Sequence, residues 1–164
     1  MEKTTERLLI KHYKKENLKD FKTVLMDDDI MKHISGKGYS LEVTEQKFAN
    51  ALEVNSKNKN AGFFNVTLKE NSRLVGFAKL VAIDDDKLEV GYAIVKNLWG
   101  KGFASEITLN LVEHARIYYP EKAVIGIVDF GNEASKNVLL KQNFKFYKTD
   151  NFNGKKVEYY KLPH

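Results

Sequence analysis

Cysteine is absent from this 164-residue chain, which removes disulfides, a thiol nucleophile and thiolate-held zinc from consideration. The absence fits a reducing compartment. No apolar run reaches the length of a membrane span, and the opening MEKTTERLLIKH lacks the apolar core of a secretory leader. The expectation is therefore a cytoplasmic protein with no membrane partner. Proline occurs only at Pro120 and Pro163, both at expected element ends. The four histidines, His12, His33, His114 and His164, are scattered without ligand spacing, so no metal site is expected. There is no linker, repeat or low-complexity tract, and residues 1–164 read as one domain.

What is present is an ordinary globular mixture, 43% hydrophobic and 30% charged. The formal charge of +5 favours anionic partners. The basic residues are spread along the chain rather than gathered into a stripe with interleaved aromatics, so nucleic acid is not an expected partner.

RLLIKH (residues 7–12) reads as a first strand. Leu18, Phe21, Val24 and Leu25 give one helical face over residues 16–26, and Phe48, Ala51 and Leu52 another over about 43–54. The segment between them carries Gly36 and Gly38. The period then changes to three strand-like runs at residues 62–69, 73–83 and 87–95, separated by short polar breaks that predict an antiparallel meander. Helical spacing returns at Ala104, Ile107, Thr108, Leu111, Val112, Ala115 and Tyr118. AVIGIVD (residues 123–129) reads as a buried strand parallel to the one before it. Asn132 can cap a helix running to about Gln142, and two strands then pair across Asn153–Gly154. The order is β-α-α-β-β-β-α-β-α-β-β, a mixed α/β (α+β) domain.

In LWGKGFASE (residues 98–106), Gly100 and Gly102 stand where a helix is about to begin. Free N–H groups at a helix start attract anions, and missing Cβ atoms let phosphate oxygens approach. Lys101 adds positive charge. The alternative is a plain tight turn. The loop is neither GxGxxG nor a P-loop.

EVGYAIVKNLWGKGFASE (residues 89–106) resembles the cofactor motif of the GNAT acetyltransferases, in particular their RimJ/RimL-like branch. The motif falls on Trp99, Gly100, Lys101, Gly102, Phe103 and Ala104, with Trp99 departing from the general consensus of Gln or Arg. TERLLIKHY is similar to the branch's first strand. NEASKNVLLKQNFKF (residues 132–146) is similar to its Asn-x-x-Ser helix and following turn, with Asn143 in place of glycine.

The resemblance implies a sheet of about seven strands with about four helices, the fourth and fifth strands splayed. It implies acetyl-CoA as co-substrate, no metal, an amine acceptor (a protein N-terminus or a small molecule), and a possible homodimer. Backbone groups of Ile94 and Val95 would then hold the pantetheine, and N–H groups from Gly100 to Ala104 the pyrophosphate. By the same resemblance Asn132 and Ser135 sit beside the coenzyme arm near the thioester.

Transfer needs a base for the acceptor ammonium and a proton for the departing thiolate. Glu89, between Leu88 and Val90, is the expected base, with partial burial expected to raise its pKa. The alternative is a strand glutamate facing solvent or pairing with a lysine. Many family members use a tyrosine as the acid at the position of Leu139, so Ser135 is the expected substitute; a capping serine or a solvent proton is the alternative. Tyr92 is expected to pack in the strand. The acceptor would enter near residues 31–39. A protein that keeps the fold and binds acyl-CoA without turnover is a second reading.

Overall fold

The computed structural model describes residues 2–163, so His164 lies outside the described residues. Among these are eight strands, β1 (Glu2–Thr4), β2 (Leu8–His12), β3 (Gly62–Leu68), β4 (Leu74–Ala82), β5 (Lys87–Ile94), β6 (Ala123–Asp129), β7 (Lys145–Phe152) and β8 (Lys155–Lys161). Five α-helices accompany them: α1 (Leu18–Leu25), α2 (Asp28–Met31), α3 (Leu41–Lys57), α4 (Phe103–Tyr118) and α5 (Glu133–Lys141). All strands join one sheet in the order β1-β2-β3-β4-β5-β6-β8-β7. Only β5 and β6 run parallel.

Compared with the expected seven strands and four helices, the structure adds β1 and α2. Both are short, three and four residues, below the length at which periodicity is readable. On α4 the buried stripe carries His114 in place of Tyr118, which faces solvent. Asn143 and Asn153 adopt φ of 65° and 50°, the left-handed conformation asparagine tolerates best after glycine.

Period-two alternation divides the apolar residues between the two faces of the sheet. Leu88, Val90 and Ile94 of β5 pack with Ile107 and Leu111 of α4. Ala93 and Phe77 point the other way, into an aromatic cluster with Phe21 of α1, Met31 of α2 and Phe48 of α3. Successive residues of β5 thus serve different cores, and a side chain's parity decides which face it reaches.

The β5–β6 ladder runs only from Lys87↔Ala123 to Val90↔Gly126. Beyond it β5 stays with β4, where Val95 N–H still donates to Val75 O at 2.9 Å, while β6 stays with β8 as far as Asp129↔Val157. Each strand keeps its outer neighbour, so the two part without leaving the sheet. The expected splay is present.

His114 is 2% exposed, with Nε2 2.8 Å from Asn60 O and Nδ1 without a hydrogen-bond partner. Burial lowers its pKa from 6.5 to about 4, against the pull of the Asn60 carbonyl. The unfolded chain takes up this proton first as the pH falls, so the stability contributed by neutral His114 is present above about pH 6.5 and lost toward pH 4. Between about pH 7.5 and about pH 4.5 the loss amounts to about 2 to 3 kcal/mol. In urea unfolding, His114→Gln is expected to flatten the pH dependence by about that amount; equal slopes for variant and parent would contradict the assignment.

Candidate functional site

The turn into α4 begins with Trp99, whose indole Nε1 donates to Ile94 O at 2.8 Å and folds the segment back on the end of β5. Gly100 and Gly102 follow at φ of 73° and 81°, a region that L side chains rarely enter. Gly102 is the N-cap of α4. The other well-formed helix starts differ: Asp27, Ser40 and Asn132 each accept a backbone N–H with their side chains. At α4 no side chain caps the helix, and its first i→i−4 bond runs from Glu106 N to Gly102 O. The N–H groups of Phe103, Ala104 and Ser105 precede that bond and have no intrahelical acceptor. A Cβ on Gly100 would meet no atom within 4 Å, so that side of the turn is open.

Arg7, just before β2, fastens this turn, and sequence reasoning missed it. Its Nη1 donates to Lys101 O at 2.9 Å, and its guanidinium lies 4.2 Å from the Phe103 ring centroid. Its Nε meets the Glu106 carboxylate at 2.7 Å, where Thr5 Oγ1 and the Arg7 N–H also donate. Burial works to raise the Glu106 pKa, but these donors together hold it below the usual carboxylate range. A carboxylate in the first turn would oppose an incoming anion; Arg7 offsets it. The only sequence signal was opposite charge separated by 99 residues of chain.

Beyond the last β5–β6 pair, the alternation set by Val95 turns the backbone of Tyr92 and Ile94 into the wedge. The structure brings Ile94 to this edge but not Val95. The Val95 N–H is bonded to Val75 and its C=O accepts from Leu98 N–H at 3.0 Å. A cavity of about 600 Å³ passes through the sheet at the wedge, lined by Glu89 and Gly91 from one face and by Tyr92, Asn132 and Ser135 from the other.

On the α5 side, Asn132 caps the helix through Oδ1, which accepts Ser135 N–H at 3.3 Å. Its Nδ2 donates to Ser135 Oγ at 3.1 Å, and Tyr92 O–H donates to the same oxygen at 3.1 Å. With both acceptor positions used, the Ser135 hydroxyl hydrogen is free to be donated. Burial raises the Tyr92 pKa, with the Ser135 hydrogen bond opposing, so its phenol stays protonated at neutral pH. Tyr92 packs against the core as expected, and its hydroxyl also joins the polar cluster. Leu139 is 4% exposed and sits against Gly126, where a Cβ would come within 2.5 Å of Leu139 Cδ1.

Across the sheet, Glu89 meets Lys79 Nζ at 2.6 Å, the lysine pairing weighed as its alternative. Gly91 makes this possible: Lys79 lies across it so closely that a Cβ there would be 2.7 Å from Lys79 Cε. Met31, Ile34 and Tyr39 from the expected acceptor segment line the same cavity, and His33 Nδ1 reaches Asp129 Oδ2 at 3.0 Å. No group of three or more metal-ligating side chains occurs among the described residues, and no helix among them is long and apolar enough to cross a membrane.

Comparison with known proteins agrees with this architecture. The uncharacterized N-acetyltransferase p20 of Bacillus licheniformis is 25% identical over 67% of this chain, a match that spans 63% of that relative's length. The uncharacterized N-acetyltransferase YoaA of Bacillus subtilis is 27% identical over 86% of this chain and 81% of its own. Among solved structures, a GNAT-family acetyltransferase from Bacillus anthracis superposes with a TM-score of 0.82 at 21% identity, covering 99% and 98% of the two chains. RimL, a ribosomal L7/L12 alpha-N-protein acetyltransferase in complex with coenzyme A, gives 0.80 at 15% identity over 97% and 95%. A spermidine N-acetyltransferase from Vibrio cholerae, with coenzyme A and spermine, gives 0.79 at 14% over 96% of each chain. The model of the acetyltransferase (GNAT) domain matches residues 7–145, and the chain belongs to that family.

Proposed function

We propose that this protein transfers the acetyl group of acetyl-CoA directly to a primary amine in the cytoplasm, as a RimJ/RimL-like member of its family. The observation that carries the reading is the glycine-capped start of α4, with unshared N–H groups, opening beside a wedge that leads to a cluster of proton-handling side chains. That RimL and the spermidine enzyme were solved with coenzyme A supports the choice of donor.

On this reading the N–H groups from Gly100 to Ala104 receive the diphosphate, aided by the helix dipole and Lys101. The wedge edge at Tyr92 and Ile94 receives the pantetheine amides. Asn132 and Ser135 face its thiol end. The donor supplies an activated acyl group as a thioester. The acceptor arrives from the α1–α3 face, on which Glu89 lies, and the donor from the face of α4 and α5.

Glu89 takes a proton from the acceptor ammonium, which frees the nitrogen lone pair to attack the thioester carbonyl. The C–N bond forms, the C–S bond breaks and the nitrogen loses its second proton to solvent. Ser135 donates its hydroxyl proton to the departing sulfur and recovers one from Tyr92, whose own proton is restored from solvent. The products are an amide, a free thiol and one proton.

Titration of acceptor-dependent thiol release tests the reading. Acetyl-CoA binding without any such release would favour the acyl-CoA sensor instead. Glu89→Gln is expected to lower kcat by about a hundredfold or more while leaving the acetyl-CoA Kd within about threefold. Full activity of that variant across pH would remove Glu89 from the role of base. Ser135→Ala and Tyr92→Phe are each expected to lower kcat about tenfold to a hundredfold, and the double variant by no more than the larger single effect, since they act in one relay. Additive losses would contradict the relay. Gly102→Val places a β-branched residue at positive φ against Arg7 and is expected to weaken acetyl-CoA binding at least about tenfold by calorimetry; unchanged affinity would detach the turn from the donor.

A further inference from the structure

The acceptor side of the cavity carries a charge pattern that narrows the amine. Two carboxylates line it, Glu89 and Asp129, and each already faces a partner, Lys79 at 2.6 Å and His33 at 3.0 Å. Lys47 of α3 also lines it, and among the described residues no carboxylate pairs with its ammonium, which lies 4.6 Å from the Tyr39 ring centroid. Two lysines thus stand against two carboxylates, with His33 adding a third cation when protonated. Between these groups the wall is aromatic, with Phe21, Phe63 and Phe77 behind and the exposed Phe152 and Ile34 at the rim.

A polyamine needs unpaired carboxylates spaced along its length, because each ammonium left without one must lose water for nothing. This cavity offers none. An aromatic body gains by covering the phenylalanine wall. A carboxylate gains beside Lys47, which lies on exposed helix surface while Glu89 lies deeper against the sheet. We propose that the acceptor is a monoamine on an aromatic or branched apolar body, with a carboxylate at the end remote from the reacting nitrogen, and that Lys47 recognises that carboxylate. The proposal rests on the acetyltransferase reading above and fills in its acceptor.

Three probes decide it: para-(aminoethyl)benzoate, phenethylamine and spermidine, assayed by thiol release, with acetyl-CoA binding measured by calorimetry on the same samples. The expected order of kcat/KM is the carboxylate probe about tenfold above phenethylamine, and spermidine at least about tenfold below it. In Lys47→Ala the advantage of para-(aminoethyl)benzoate over phenethylamine should disappear, through KM and not kcat. Spermidine equal to or better than phenethylamine overturns the proposal, as does a carboxylate advantage that survives in Lys47→Ala. Failure of all three amines with acetyl-CoA still bound overturns the acceptor class and leaves the donor site standing. Failure to bind acetyl-CoA instead brings down the transferase reading beneath it.

Discussion

The parting of β5 and β6 after Val90↔Gly126 is the constraint on which the rest of the molecule depends. A parallel pair inside a sheet normally uses its hydrogen bonds to the end of both strands. Here the loss is confined to the shared edge, because β4 and β8 hold the outer edges to Val95 and Asp129. The result is a gap through an otherwise continuous sheet, lined by backbone polar groups that a ligand can satisfy. It also lets groups on opposite faces, Glu89 on one and Ser135 on the other, address a single cavity. The proposed chemistry of two substrates arriving from opposite sides needs such a passage.

A second constraint is the glycine cap of α4. A side-chain cap contributes about 1 kcal/mol, and three other helices of this chain have one. α4 lacks it, and the turn before it departs twice into the left-handed region, at Gly100 and Gly102 on either side of Lys101. Arg7 compensates for part of that loss by joining Lys101 O, Phe103 and Glu106 in one cluster, which ties the turn to the edge of β2. The turn is thereby held open by contacts behind it, not by side chains filling it.

Local patterns were readable along the chain, and so was the parallel β5–β6 pair, from the handedness of its crossover; side-chain contacts between distant segments were not. The alternation of β3 to β5, the stripe on α4, the Asn132 cap and the Asn153–Gly154 turn depend on neighbours within a few residues, and they appear close to where periodicity and turn chemistry put them. Single-turn elements such as α2 carry too few residues for a period. The site shows the same division. The glycine turn was visible as a motif, and the resemblance supplied Asn132 and Ser135. Tyr92 was passed over because strand parity says which face it joins but not that α5 brings Ser135 to its hydroxyl. The Lys79 partner of Glu89 was equally invisible, since it depends on cross-strand register and on the bare surface of Gly91. Arg7 and Glu106 meet across 99 residues of chain, beyond any local rule.

The central claim is that the amides opening α4 form the seat of an anionic coenzyme. Amide NMR of the uniformly nitrogen-labelled protein, titrated with coenzyme A, addresses it without requiring turnover or a known acceptor. The account predicts the largest shifts at Gly100 through Ala104, with a second group at Tyr92 and Ile94, saturating together. Saturable shifts that leave these residues unmoved and gather elsewhere on the molecule would contradict it.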